Sequence, residues 1–209
     1  MDISLNPNAV EYYYGHEDES CIEDFESFTA HPYNRNKKFE LIDGHIVLMA
    51  GNASPNHQTI KGEIFGEIRN YLKGKPCRVF DDLNLYLFRE DLGKCRNIYQ
   101  PDIMVCCDAS KITKRGYEGV PDLIVEVISK STGDYDYGVK RNNYIRYGVG
   151  EIWIVDLFIN QISVDKKDET GTTYKYKFDD TINVDILPGL SVDFTEILKI
   201  VDKSDLKWF

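Results

Sequence analysis

The sequence lacks a long hydrophobic run and has no cysteine pair with C-x-x-C spacing. No apolar stretch approaches the roughly 20 residues that span a bilayer, and the N-terminal segment has neither the basic part nor the apolar part of a signal peptide. We therefore expect a cytoplasmic protein without a membrane partner. The five cysteines form an odd set without metal-ligand spacing, so we expect reduced thiols rather than a disulfide framework or a zinc site.

Basic residues are fewer than acidic ones. The chain has 25 Lys and Arg against 35 Asp and Glu, which gives a net charge of -10. This balance weighs against a nucleic-acid binder, because binding to a duplex draws most of its affinity from cations on phosphates. The charge is unevenly distributed, however, since acids dominate the segment that ends at Glu26 and basic residues are frequent from Lys111 to Arg146. The sequence thus leaves room for a local basic surface.

The length and the apolar content predict one substantial hydrophobic core. With 209 residues, of which 42% are hydrophobic, the chain is expected to form a single α/β (α+β) domain. Residues 1–36 are polar and acidic, and we interpret them as an N-terminal extension with a short helix over residues 22–28. The domain proper is predicted to occupy residues 37–209.

Hydrophobic periodicity predicts an ordered series of elements. Residues 39–42 and 45–49 flank Asp43-Gly44, which is typical of a β-hairpin with a tight turn. Apolar positions at helical spacing predict helices over residues 57–72 and 134–147. Runs rich in Val, Ile, Leu and aromatics predict strands over residues 78–88, 98–107, 123–128, 151–158 and 173–178. The order resembles the mixed sheet flanked by helices of restriction-endonuclease-like cores, here with an N-terminal β-hairpin.

Three acidic residues lie on or beside two of the predicted strands. Asp102 follows Pro101 at the start of one strand, while Asp122 and Glu126 belong to the next. Residues at even separations share a face of a strand, so Asp122 and Glu126 are predicted to point the same way. A carboxylate within the apolar strand around Glu126 needs a partner, and a Mg²⁺ ion held by two carboxylates and waters is one candidate.

Lys140 lies on the following predicted helix, with Tyr144 one turn later on the same face. A lysine beside such a metal could stabilise the charge that develops on a phosphate or orient the attacking water. The chemistry indicated is therefore phosphodiester hydrolysis.

Taken together and in order, these segments resemble the Uma family of restriction endonucleases, a branch of the PD-(D/E)xK superfamily. The resemblance covers roughly residues 38–160. It is carried by Phe39-Glu40-Leu41-Ile42-Asp43-Gly44, His57, Pro101-Asp102-Ile103, the run from Pro121 to Ser129, Lys140 with Tyr144, and the run from Gly148 to Asp156. The superfamily motif places a lysine two residues after the second acid, but Ile128 stands there, and Lys140 fits a lysine that has moved to the helix.

The resemblance implies a metal-dependent endonuclease that hydrolyses DNA, with Mg²⁺ or Mn²⁺ as cofactor and a homodimer as the active form. It implies Asp102, Glu126 and Lys140 as catalytic residues, with Asp102 and Glu126 as metal ligands and Glu40 as a supporting acid. Asp122, His57 and Tyr144 are further supporting candidates. Two alternatives remain open, namely a metal-dependent phosphoesterase with another substrate and an inactive nuclease-fold module that binds nucleic acid or a protein.

Each candidate residue also has a purely structural interpretation. Asp102 and Asp122 could be turn residues that open strands. Glu126 could form a structural ion pair with Lys140, which could otherwise be a solvated helix residue. Glu40 could be an exposed cross-strand partner, and His57 could only bond the backbone at a helix start.

Overall fold

The computed structural model describes residues 11–13, 21–49, 53–93, 96–129, 136–168 and 171–204, together with Leu206 and Trp208. Its helices are α1 (Ile22–Ala30), α2 (Pro55–Tyr71), α3 (Arg141–Tyr147) and α4 (Phe194–Ile200). Its strands are β1 (Glu11–Tyr13), β2 (Lys38–Ile42), β3 (His45–Met49), β4 (Arg78–Asp81), β5 (Leu85–Leu87), β6 (Ile98–Tyr99), β7 (Ile103–Cys106), β8 (Tyr117–Gly119), β9 (Leu123–Val127), β10 (Glu151–Asp156), β11 (Gln161–Lys166), β12 (Thr173–Tyr176), β13 (Thr181–Asn183) and β14 (Ser191–Asp193).

Two six-stranded mixed sheets form the framework of the described residues. One has the order β1-β3-β2-β6-β5-β8 and the other β12-β11-β10-β9-β7-β4, and β13 and β14 form a separate pair. Helices flank the sheets, so the predicted α+β class with mixed sheets is confirmed. Among the described residues, no helix has both the length and the apolar character needed to cross a membrane. The division at residue 36 stays a prediction.

The hairpin between β2 and β3 forms where the sequence predicts it. Asp43 and Gly44 both have positive φ angles, 48° and 85°. These are the values of the type I′ turn, whose twist matches that of the flanking strands. Lys38 pairs with Met49 and Ile42 with His45, so the whole strand length is in register.

The central strand β9 separates two hydrophobic clusters. Leu123, Val125 and Val127 pack on the side of α2, together with Ile60 and Ile64 of that helix. The alternate residue Ile124 faces the opposite cluster, which contains Tyr144 of α3. Since side chains alternate along a strand, Glu126 shares the α3 side with Ile124.

Two predicted strands are each divided between the two sheets. The run 78–88 is interrupted by Asp82, whose φ is 47°, so β4 and β5 belong to different sheets. The run 98–107 is interrupted at Gln100-Pro101-Asp102, and β6 and β7 also belong to different sheets. Treating each run as one strand was wrong, because hydrophobicity persists while the chain passes from one sheet to the other.

The predicted helix over residues 134–147 has two parts within the described residues. A π-helical turn, Asp136–Lys140, leads into α3. The helix ends at Gly148, whose φ of 82° is left-handed and whose amide donates to the Tyr144 and Ile145 carbonyls. Gly favours this conformation because it has no Cβ. The wide turn ends at Lys140, and π-helical turns are frequent at functional sites.

The expectation that all five cysteines are reduced is wrong for two of them. Cys77 and Cys107 form a disulfide across the ends of β4 and β7. Arg78 pairs with Cys106 in the antiparallel register, so the residues one step outward lie opposite each other. A separation of 30 residues hides this proximity in the sequence. Cys21 and Cys106 are free thiols, and Cys95 lies outside the described residues.

The disulfide is expected to contribute measurably to stability. Closing a loop across 30 residues restricts the unfolded chain, and we expect its removal to lower the free energy of unfolding by about 3 to 4 kcal/mol. Denaturant unfolding with and without a phosphine reductant measures this difference. The double variant Cys77→Ser/Cys107→Ser is the control and should not respond to reductant. An equal response of both proteins would contradict the bond.

Candidate active site

Asp102 and Glu126 occupy facing positions at one end of neighbouring strands. Ile103 pairs with Val125 in the antiparallel register of β7 and β9, and Asp102 and Glu126 are the next residues outward. Asp102 itself lies in a bend just before β7, so its own contacts, and not the alternation of strand side chains, set the direction of its carboxylate. The Asp102 backbone amide lies 3.4 Å from Glu126 Oε2, and both residues are buried. The sheet register thus brings the two predicted acids together.

Glu126 lies among polar partners inside the apolar core. Its exposure is 2%, and its Oε1 accepts a hydrogen bond of 2.7 Å from the Tyr144 hydroxyl. Complete burial, followed by the nearby charge of Glu126, raises the pKa of Tyr144 well above its usual value. Tyr144 therefore stays protonated and remains a donor that holds the Glu126 carboxylate in one orientation.

Lys140 and Glu40 complete the cluster around Glu126. The Lys140 ammonium lies 3.0 Å from Glu40 Oε1 and 3.6 Å from Glu126 Oε1, and its exposure is only 3%. Glu40 is fully buried, so its interpretation as an exposed cross-strand residue is wrong. Its Oε1 also accepts from the Gln100 amide, whereas its buried Oε2 has no hydrogen-bond partner within the described residues.

Asp102 is held from the other side by α2. Its Oδ2 accepts from the Val127 amide at 2.8 Å and from His57 Nε2 at 3.1 Å. Burial by itself would raise the pKa of Asp102, but the hydrogen bond and charge of His57, the Val127 amide and the charge of Lys38 together lower the pKa below its usual value. The His57 amide also donates to Ser54, the N-cap of α2. His57 is thus both a helix-start residue and a contact of the candidate site.

A polar network attaches α3 to the hairpin and so positions Lys140. The Asn143 side-chain amide donates to the Tyr99 hydroxyl at 2.8 Å, and Tyr99 donates in turn to Asn97 at 3.0 Å. Asn97 Oδ1 also accepts from the Asp43 backbone amide at 2.9 Å. Asn97 is fully buried, and buried polar groups of this kind are expected to hold one arrangement when every partner is present.

One predicted supporting residue lies away from this cluster, and one buried cation was missed. The Asp122 carboxylate accepts from the Cys107 amide at 2.7 Å, at the opposite end of β9 from Glu126. Its structural interpretation as a turn residue therefore fits the contacts. Lys61 was not singled out from the sequence, although it is buried on α2 one turn after His57. A lysine on the apolar face of a helix was the available signal.

The donor set fits a hard divalent cation. Asp102 and Glu126 supply carboxylates from facing positions at neighbouring strand ends, and Glu40 Oε2 is a buried oxygen without a hydrogen-bond partner among described residues. In the part of the chain that the structure describes, no group of three or more His, Cys, Asp or Glu side chains is arranged to hold a metal ion. Mg²⁺ commonly uses one or two carboxylates and keeps several waters, so a complete protein cage is not required.

The two mixed sheets flanked by helices have the α+β architecture expected of a restriction-endonuclease-like fold. The chain belongs to the Uma2 family, described as "Putative restriction endonuclease", whose model matches residues 22–195. The resemblance found in the sequence is thereby confirmed.

The chain is also similar to two other proteins. It is 32% identical over 111 residues to the uncharacterized protein slr1290 of Synechocystis sp., a match that covers 53% of this chain and only 55% of that relative. A crystal structure of a "putative nuclease belonging to DUF820" from Anabaena variabilis superposes with a TM-score of 0.60 at 20% identity. That match covers 77% of this chain and 89% of the other, and it shows similarity of fold.

Proposed function

We propose that this protein is an endonuclease that hydrolyses DNA phosphodiester bonds with a divalent cation, Mg²⁺ or Mn²⁺. The observation that carries the proposal is the buried Lys140 ammonium, which lies between Glu40 and Glu126, the latter at the strand position that faces Asp102. Burying several charged groups costs free energy that their mutual attraction only partly offsets. A function therefore explains such a cluster better than stability does. A group of acidic side chains at strand ends with a lysine beside it suits phosphodiester hydrolysis.

Each residue of the cluster has a separate task in this proposal. Asp102 and Glu126 would hold the cation, which supplies Lewis-acid polarisation of the phosphate and activation of a water when bound. Lys140 would donate to the attacking water or to the phosphate oxygen on which negative charge develops. His57 and Tyr144 would orient Asp102 and Glu126 through the hydrogen bonds described above. Glu40 would keep the Lys140 side chain directed into the site.

Cleavage assays with and without divalent ions test the proposal. Purified protein is incubated with supercoiled plasmid, linear duplex, single-stranded DNA and RNA in Mg²⁺ or Mn²⁺. We expect DNA cleavage that stops with a chelator and returns when the ion is restored in excess. If no nucleic acid is cut with any divalent ion while the protein still binds DNA, the catalytic proposal is wrong.

A second function class has support from one observation, the net charge of -10. An inactive module with this fold could bind a protein partner or nucleic acid without cutting it. Salt-dependent DNA binding without cleavage in the same assay would favour that class.

Since cutting both strands of a duplex calls for two sites, we further propose a homodimer as the active form. Light scattering coupled to size-exclusion chromatography measures the oligomeric state.

A further inference from the structure

Two lysines outside the candidate catalytic cluster share one exposed carboxylate. The Lys61 ammonium contacts Asp82 Oδ2 and lies 3.9 Å from Asp81 Oδ2. The Lys38 ammonium lies 3.4 Å from Asp82 Oδ1 and donates to the Gln100 carbonyl at 3.2 Å. The Lys61 side chain is 6% exposed, whereas the Asp82 side chain is 51% exposed. Asp82 therefore covers a buried positive charge at the protein surface.

This lysine pair lies directly beside the candidate active site. Asp81 of β4 pairs with Ile103 of β7, so the next residues outward are Asp82 and Asp102. Glu126, Asp102 and Asp82 thus follow one another at the same end of three neighbouring strands, which are about 4.8 Å apart.

Both lysines also belong to elements that supply site residues. Lys61 is four residues after His57, so the two share one face of α2. Lys38 is two residues before Glu40, so the two share one face of β2. The elements that position the candidate catalytic residues therefore also direct these two ammonium groups to the adjoining strand end.

The Asp82 carboxylate is not fixed there by a favourable backbone. Its φ of 47° lies in the left-handed region, which residues with a Cβ adopt less readily than Gly, although Asp tolerates it better than most. The Asp82 carboxylate is 51% exposed and contacts the Lys38 and Lys61 ammonium groups, so another anion in its place would meet the same two cations.

We propose that Lys61 and Lys38 form a binding subsite for a DNA backbone phosphate next to the one that is cleaved, and that the Asp82 carboxylate occupies this subsite until DNA displaces it. Carboxylate and phosphate oxygens both accept charge-assisted hydrogen bonds from ammonium groups, so one replaces the other without new donors. The inference rests on the proposed function, because it takes DNA as the ligand. It also explains how a chain of net charge -10 presents cations to a polyanion.

Binding measured without divalent ions tests the subsite separately from cleavage. The probe is a fluorescein-labelled 20-base-pair duplex, and its anisotropy is followed in chelator over a series of KCl concentrations. Lys38→Gln is expected to weaken binding several-fold and to reduce the slope of log K against log salt by about 0.9, the value for one lost phosphate contact. Asp82→Asn is expected to tighten binding about two- to fivefold, the change that corresponds to losing a surface ion pair.

The pair Lys111 and Asp108 provides matched controls. It is a similarly exposed ion pair of 3.5 Å that follows the opposite end of β7, away from Asp102. Lys111→Gln and Asp108→Asn should leave both the affinity and the salt slope close to the wild-type values. Lys61 is buried, so Lys61→Gln also tests folding, and the inference is judged on the exposed Lys38 and Asp82.

The outcomes separate this inference from the proposed function. If Lys38→Gln and Asp82→Asn behave like their controls while wild type binds and cuts DNA, the subsite is wrong and the nuclease proposal stands. If wild type never cuts DNA but the two variants shift binding as expected, the subsite stands without the activity. A wild type that neither binds nor cuts DNA overturns both.

Discussion

Glu126→Gln is expected to lower DNA cleavage by at least about 10³-fold while the protein stays folded. Glutamine has nearly the same shape and can still accept the Tyr144 hydrogen bond, but it lacks the charge that holds a divalent cation. Cation-assisted stabilisation is worth several kcal/mol, and each 1.36 kcal/mol corresponds to a factor of ten in rate. Single-turnover cleavage in Mg²⁺ measures the loss, and calorimetric titration with Mn²⁺ measures the accompanying loss of metal affinity.

Glu151→Gln is the matched control for this variant. Glu151 is also a fully buried glutamate, and it lies on β10, next to β9. Its carboxylate accepts from Trp153 Nε1 at 2.7 Å and from the Ile186 amide at 3.2 Å, on the face opposite Glu126. Glu151→Gln should retain cleavage even if it is less stable. Equal losses in both variants would trace the effect to buried charge in general and not to a metal ligand.

Lys140→Met is expected to have the largest effect on stability and to slow cleavage as well. The change leaves Glu40 and Glu126 buried near each other without the ammonium that lies between them. Removing one partner of a buried ion pair costs about 3 to 5 kcal/mol, because the remaining charge is not compensated. Loss of a donor directed at the developing charge costs about 10²- to 10³-fold in rate. Chemical denaturation and single-turnover cleavage measure the two effects.

The double variant Glu40→Gln/Lys140→Met distinguishes a catalytic lysine from a structural one. Neutralising Glu40 removes one of the two uncompensated carboxylates, so part of the lost stability should return. Cleavage should stay slow, because the ammonium is still missing. If cleavage returns together with stability, Lys140 acts as a structural ion-pair partner and the proposed catalytic role is wrong.

The central site acids were accessible to reasoning from the sequence because their signals are local. Glu126 stands in an apolar strand where a carboxylate needs partners, and Asp102 opens the preceding strand of the sheet. Lys140 was harder to place, since the superfamily position holds Ile128 and the helix face had to be inferred from spacing. The structure places its ammonium near Glu126 and Glu40, while its chemical role stays a prediction.

Local chemistry was sufficient for the hairpin turn and the alternation of strand faces. Asp43-Gly44 specifies its turn through the backbone angles those two residues accept. The predicted helix began at His57, two residues after the observed start of α2 at Pro55, because the Ser-Pro signal for a helix start was not used. These features depend on neighbours within a few residues. A short stretch of sequence is therefore enough to predict them.

Long-range packing decided the division of strands between two sheets, the partner of Cys77, the burial of Glu40 and the position of Lys61 beside Asp82. Each of these depends on contacts between residues far apart in the chain, such as the 30 residues that separate the bonded cysteines. A hydrophobic run indicates that a segment is buried, but it does not indicate which sheet the segment joins. The pairing of distant strands decides which sheet each segment joins. That pairing forms only when the hydrophobic clusters on both sides of β9 pack together.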